Sequence, residues 1–544
     1  MRSTVQLRRP ADIWHKPALS AAAALAVPDV TLLALGRMDL VLYTSAGAMC
    51  ALYGHGLPYA ARARTLAWVV LAMVASLGAG LLAASLVSSA VLLVLLASLL
   101  AAVHRIGCDA TRIGPPGSLI ITFIAASAFF VPQQPARIPA HLALALAGGA
   151  VAWLVGMAPA LVRPHGPERI AVARALEAAA GLWRSERTGS LAGRQSTAAA
   201  VGAAWHTLFL VPAHDENRAR LERLLVHAES ALAAPAAHPA PDLAGEAQRC
   251  ADLASELRRG GPLPSIGLTP AEYRELTRQL RLPAPDRAQG VRAVLARLRP
   301  GSPLLPIGAR VAVGCSLAGW ASLAAGVGHP YWAVVTAASI FQANTTLSWQ
   351  RAVQRFIGNV LGLALFFALL PLIHTGRPAM VLLALAFQIG AEAFMTRNYW
   401  LGSVCVTPMA LLLTQFGNTL PARTLIADRG LDTLSGAVIG LACCLLVTNR
   451  RATDRIDAAL EHLTAAEATA RRVLAARAVP DHTTGWARDR LARSLVELRE
   501  AVDVASGEWW QRALPAERVA VAESQGHHTL SLLVRDTVPV APAA

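Results

Sequence analysis

Polar side chains are sparse in the apolar stretches of this chain, and the few present fall into small sets with helical spacing. Arg351 and Arg355 are four apart, as are Gln388 and Glu392, so each pair shares a helix face. Trp332, Thr336 and Ser339 lie on one face of the apolar run that begins at Tyr331. Asn344 closes that run, and Asn398, Tyr399 and Thr407 add polar groups further on. Ionisable groups are costly inside a bilayer and usually face a cavity or another helix. Three tasks fit these residue types. Arg62, Arg351 and Arg355 could attract an organic anion, or could only fix topology. Trp332, Thr336, Ser339, Asn344, Asn398, Tyr399 and Thr407 could line a substrate path. Tyr331 and Trp332 could equally serve as interface anchors. Glu392 and Asp29 could exchange a proton as access alternates. An ion pair with Arg397 explains Glu392 as well. Asp29, after Pro28, marks either a kinked helix lining a path or the junction of two shorter helices.

Several chemistries are excluded. No Walker A loop, nucleophile elbow or metal-ligand His pair occurs, so neither a catalytic set nor a metal or cofactor site is expected. His527-His528 reads as a solvated pair. The seven cysteines have no zinc spacing, and most lie in apolar runs.

The chain has 544 residues, of which 55% are hydrophobic and 15% charged. Its mean hydropathy is +0.45. A soluble chain carries about 25% charge, so the expected class is an all-α, polytopic membrane protein. The net charge of +15 invites a nucleic-acid reading, but its distribution argues against one. Residues 163–303 hold 19 Arg and 14 acids (19 − 14 = +5), and residues 449–544 hold 13 of each. The remaining apolar portions hold 17 bases and 7 acids (17 − 7 = +10), mostly in short links. That is a topology signal, not a surface for nucleic acid.

Twelve apolar segments are expected, in two halves of six. They lie near 17–36, 38–56, 64–84, 86–104, 116–131 and 139–162, then 307–326, 331–346, 354–374, 378–395, 399–416 and 430–448. The run near the N-terminus reads as the first membrane helix, not a cleaved signal. With the N-terminus in the cytoplasm, inside links hold Arg2, Arg8, Arg9, Lys16, Arg62, Arg64, Arg105, Arg112, Arg310, Arg351, Arg355 and Arg397. Outside links hold Arg37, Arg137, Arg377, Arg423 and Arg429, the last two in the final loop. This balance places both termini inside, in the cytoplasmic membrane. Four regions follow: a membrane half at 1–162, a helical block at 163–303, a membrane half at 304–449 and a helical tail at 450–544. Leu221, Leu224, Leu225, Ala228 and Leu232 follow helical spacing in the middle block, and Leu491, Leu495, Leu498 and Val502 in the tail. Thr269-Pro270-Ala271-Glu272 reads as a capped helix start, Pro/Gly/Ala-rich connectors fall near 233–241, 260–270 and 283–286, and Trp509-Trp510 sits near the tail's end. Residues 537–544 are expected to be disordered. Gly36-x7-Thr44 parallels Gly328-x7-Thr336, as a degenerate repeat of two parallel halves would.

The stretch from His329 to Gly362 places Tyr331-Trp332 at a helix start, Arg351-x3-Arg355 after a polar link, and then Gly358-x3-Gly362. Arg397-Asn398-Tyr399-Trp400, followed by Thr407-Pro408, adds a second piece. In this order the motifs resemble the second half of transporters of the fusaric-acid-resistance-like family, also called the aromatic acid exporter family. The resemblance covers most of 305–450. It implies a secondary exporter of small aromatic or organic acids, driven by the ion gradient, with a small organic anion as substrate and the lipid bilayer as its surroundings. A passive anion channel, or a membrane scaffold without flux, are the alternatives. The glycine pairs Gly358/Gly362 and Gly436/Gly440 could pack helices within one chain or between copies in a homo-oligomer.

Overall fold

In lipid, a helix is the structure that satisfies every backbone N–H and C=O within its own segment. The computed structural model follows that constraint, and no strand occurs among the described residues. It describes residues 7, 12–111, 113–185, 191–210, 216–233, 243–264, 267, 295, 298, 302, 304–342, 344–417, 421–446, 452–476, 481–506 and 516–536. The expected helix start at Thr269, the connectors at 234–241 and 283–286, Trp509-Trp510, the segment 537–544 and Arg2, Arg8, Arg9 and Arg112 lie outside the described residues, as do the side chains of His527 and His528.

The first six helices are α1 (His15–Ala34), α2 (Met38–Leu52), α3 (Tyr59–Leu86), α4 (Ala90–Thr111), α5 (Leu119–Ala128) and α6 (Ile138–Met157). Four polar helices follow: α7 (Gly166–Ser185), α8 (Leu191–Phe209), α9 (Glu216–Ala233) and α10 (Leu243–Arg259). The second apolar set is α11 (Leu304–Ala324), α12 (Tyr331–Ile340), α13 (Thr345–Ala368), α14 (Arg377–Met395), α15 (Tyr399–Gly417) and α16 (Ala422–Leu446). The chain ends on α17 (Ala452–Ala475), α18 (Asp481–Ser506) and α19 (Ala516–Asp536).

Each of the twelve expected segments coincides with a helix, but they are not alike. Eight are long and apolar enough to cross a bilayer: α1, α3, α4, α6, α11, α14, α15 and α16. The apolar helices α2, α5 and α12 are shorter. A 10-residue helix such as α12 rises only about 15 Å, half of a ~30 Å hydrocarbon core. The fourth exception, α13, is long but carries Arg351, Arg355 and Asn359. One positional correction concerns the last helix. It begins at Ala422, so Arg429 belongs to a helix interior and is 1% exposed, not in an outside loop.

The chain divides into two compact units. The first comprises 1–55, 62–159 and 289–449, and so contains both apolar sets. One core runs through it, with Tyr53, Met73, Trp332, Phe366 and Leu411 buried together. Small residues let its backbones approach. A Cβ on Gly148 would lie 2.1 Å from the Thr44 carbonyl oxygen, and one on Gly319 would lie 2.5 Å from Val94 Cγ1. The halves also bond to each other: Trp320 Nε1 donates to the Val91 carbonyl at 3.0 Å and Arg105 Nη1 to the Phe341 carbonyl at 2.8 Å. Leu82, Leu86, Val103, Leu154, Phe367, Leu382 and Val438 point outward from this unit, as lipid-facing side chains do. A long helix, a short one and a long one open each half. Thr44 and Thr336 are both buried, but the left-handed glycine matching Gly36 is Gly326, at φ +74°, not Gly328.

The second unit comprises 56–61, 160–288 and 450–544. Leu176, Leu224, Leu225 and Cys250 close one core among α7–α10, and Ile456, Leu463, Leu491 and Leu498 close another between α17 and α18. The two blocks also meet: Arg488 Nη1 lies 3.2 Å from Glu229 Oε1, which itself belongs to the acceptor of Trp205 Nε1–H.

Candidate functional site

The fixed frame of the site is the pair α13 and α15. Asn344 begins α13 as its N-cap, its side chain accepting from Leu347 N–H at 2.9 Å. That capping role accounts for Asn344 without a ligand. A Cβ on Gly358 would lie 2.4 Å from Ser403 Cβ and 2.6 Å from the Trp400 carbonyl oxygen. One on Gly362 would lie 2.7 Å from Thr407 Cβ. The Gly-x3-Gly pair therefore packs two helices of one chain, as Gly436 does against Ala333 and Thr336. A hydrogen bond locks the register: Thr407 Oγ1 donates to Asn359 Oδ1 at 2.7 Å, while Asn359 Nδ2 donates to the Arg355 carbonyl at 3.0 Å. Thr407 and Asn359 thus belong to the helix interface.

That frame sets two arginines around one tyrosine. Arg351 Cζ lies 3.8 Å from the Tyr399 ring centroid. Arg355 Nη1 donates to the Tyr399 hydroxyl at 3.0 Å. Arg351 and Tyr399 form one wall of a cleft of about 630 Å³, within the range of small-molecule sites. The first half supplies another wall: Arg105, Asp109 and the loop 113–118, with Thr122 below it. Ser339 and Gln342 complete the lining from α12 and its C-terminal extension. Gly114 and Gly117 give the loop its left-handed turns, at φ +75° and +64°. Tyr53 pins it, donating to the Gly117 carbonyl at 2.8 Å. Arg105 is held by Asp109 at 2.8 Å, whereas Arg351 has no carboxylate partner among the described residues.

Behind Tyr399 lies a buried polar cluster that sequence reading did not assemble. Arg429 Cζ sits 5.0 Å from the Trp332 ring, whose centroid lies 4.6 Å from that of His329. His329 Nδ1 is 3.1 Å from Asp428 Oδ2, and Asp432 Oδ1 accepts from the Ser322 hydroxyl. Leaving a charged group unpaired in such surroundings costs several kcal/mol. The signal that could have found it is the spacing Arg429, Asp432, Gly436, one helix face that extends the expected segment back past its start near 430.

The remaining expected residues fall elsewhere. Asp29 is buried inside a continuous α1 that runs through Pro28, with Ser45 Oγ 3.4 Å away, so the junction of two shorter helices is not what the chain forms. Glu392 is half-buried on α14 and has no ion pair with Arg397 among the described residues, while Gln388 beside it is buried. Asn398 accepts from Trp400 N–H at 3.4 Å, and Ser339 Oγ donates to the Thr336 carbonyl at 2.7 Å. Arg62 is buried apart from the cleft, with Nη2 3.1 Å from His55 Nδ1. Another set missed in sequence is Ser76, His104 and Thr122. Ser76 Oγ donates to the Ala72 carbonyl at 2.6 Å, so it accepts from His104 Nε2 at 2.8 Å. Thr122, which lines the cleft, then donates to His104 Nδ1 at 3.2 Å.

Comparison with known proteins bears on the same helices. Residues 317–443 match the family profile described as fusaric acid resistance protein-like. The fusaric acid resistance protein-like segment runs from α11 to α16 and so contains Trp332, Arg355, Tyr399 and Arg429. An uncharacterized protein of Synechocystis sp. is 27% identical over 140 residues, which is 26% of this chain and 18% of that protein. The chain thus spans less than a fifth of that relative's length. No solved structure matches the chain. The eight long apolar helices, together with this match, make the chain a multi-pass membrane protein in contact with the lipid bilayer.

Proposed function

We propose that the chain is a secondary exporter of small aromatic or organic acids across the cytoplasmic membrane, driven by the proton gradient, with both termini in the cytoplasm, and that it is not an enzyme. One observation carries the reading. The cleft inside the membrane unit presents a guanidinium with no carboxylate partner, Arg351, laid against an aromatic ring, Tyr399. A flat organic anion suits that wall, since its carboxylate can meet the guanidinium and its ring the tyrosine. The match of α11–α16 to the fusaric acid resistance protein-like family supports the same class. Glu392 and Asp29 are the candidate proton carriers, because they are the carboxylates of α14 and α1 set inside apolar spans.

A second reading has an observation of its own. Arg351, Arg355 and Arg429 form no ion pair among the described residues, and such a cationic series also suits a passive anion channel. The test is efflux from cells preloaded with labelled aromatic acids, with and without the chain. Chain-dependent loss of label supports transport. No chain-dependent loss across a broad panel leaves a non-transporting scaffold and removes the proposal.

A further inference from the structure

Tyr399 lines the cleft, and Arg355 and Arg429, which are not among its lining residues, form no ion pair among the described residues. On the cleft side the tyrosine ring lies under Arg351, while its hydroxyl takes one hydrogen from Arg355. Arg355 Nε, Arg429 Nε and Nη1, Trp332 Nε1 and the Thr336 hydroxyl are all buried and have no hydrogen-bond partner among the described residues. Arg429 lies within Coulombic reach of Arg355, Tyr331, Asp432 and Tyr399. Two like charges are therefore buried within Coulombic reach of one another, with donors unused on both. The acids nearest in sequence make no hydrogen bond or ion pair with either arginine among the described residues. Asp428 is turned to His329, and Asp432 is bonded to Ser322. What the cluster lacks is an acceptor with negative charge, and a carboxylate supplies up to four acceptor sites at once.

We infer that Arg355 and Arg429 together hold the carboxylate of a small organic acid, reached from the cleft when the Tyr399 hydroxyl releases Arg355. This deepens the exporter reading and rests on it for the direction of transport, but binding is measurable without flux. Asp432 is the competing internal anion: its Oδ2 has no partner, and it lies one turn from Arg429 on the same helix. The site differs from the Arg351 wall in depth, since Arg429 is 1% exposed and Arg351 borders the cleft.

The test is equilibrium binding of labelled benzoate to the full chain in lipid nanodiscs, with benzamide as the neutral analogue of the same shape. The expected result is saturable benzoate binding that benzamide does not displace. Arg429→Gln weakens it at least tenfold, about 1.4 kcal/mol. Asp432→Asn removes the competing charge and tightens binding about threefold. The second variant is nearly isosteric and decides the matter if Arg429→Gln does not fold. Binding in Arg429→Gln within twofold of the parent, or weaker binding in Asp432→Asn, overturns the inference. If Arg351→Gln abolishes binding while Arg429→Gln does not, the anion sits in the cleft alone; this inference falls and the exporter reading stands. A parent chain with neither benzoate binding nor flux removes both.

Discussion

Replacing Gly358 by Ala tests whether the α13–α15 contact positions the arginines. The added methyl would lie 2.4 Å from Ser403 Cβ and 2.6 Å from the Trp400 carbonyl oxygen. Ordinary contact begins at 3.4 Å, so the helices must part by about 1 Å along that line (3.4 − 2.4 = 1.0). The carbonyl belongs to a helix backbone and cannot rotate away. Overpacking of this kind costs about 1–3 kcal/mol. Alanine gains about 0.5–1 kcal/mol in helix propensity over glycine, which offsets only part of it. The net expectation is a destabilised chain whose α13 carries Arg351 and Arg355 away from Tyr399. Thermal unfolding in micelles reports the first effect, and efflux of a labelled aromatic acid the second. Adding Ser403→Gly removes the closer contact but not the carbonyl, so rescue is expected to be partial. A Gly358→Ala chain with the parent's unfolding temperature and efflux rate would refute the idea that this contact sets the site.

Three further outcomes are expected. Thr407→Val strands Asn359 Oδ1 inside the α13–α15 interface and should cost about 1–3 kcal/mol, read from thermal unfolding; pairing it with Asn359→Leu should cost less than the sum of the single changes. Glu392→Gln should abolish the dependence of efflux on the proton gradient if the chain is a coupled carrier, and leave flux nearly intact if it is a channel; flux assays with a protonophore separate the two. In the polar unit, Arg488→Met removes the Arg488–Glu229 ion pair while the Trp205 hydrogen bond to Glu229 stays, and should destabilise that unit by about 1–3 kcal/mol, measured as faster amide exchange in α9 and α18.

Much of this architecture is legible in sequence because lipid imposes a simple rule. Long apolar runs must be helices, and all twelve expected segments coincide with one. What hydropathy cannot read is where a helix stops inside an apolar stretch. The α12 helix ends at Ile340, and Phe341 turns to an extended backbone while staying buried. A running average also reads Arg423, Asp428 and Arg429 as a loop before a segment that starts near 430. The structure instead winds them into α16, where Arg429 and Asp432 share a buried face. Motif reading singled out Arg355, Tyr399 and the glycine pair from local spacing and local runs, and the structure brings Arg355 to the Tyr399 hydroxyl and both glycines against α15. It took Asn344 and Thr407 for path residues, since a cap and an interface bond look the same as a polar lining until the partner helix is known. Arg105 and Asp109 belonged to the first half, so only the tertiary fold brings them to Arg351.

The central claim is most directly tested by reconstituting the full chain in proteoliposomes and imposing a proton gradient with equal labelled benzoate on both sides. A proton-coupled exporter should move benzoate away from equality faster and further than in protein-free liposomes under the same gradient, and a protonophore should erase the difference. Benzoate that equilibrates down its own gradient, but departs from equality no further than in protein-free liposomes when the proton gradient is applied, would contradict the account.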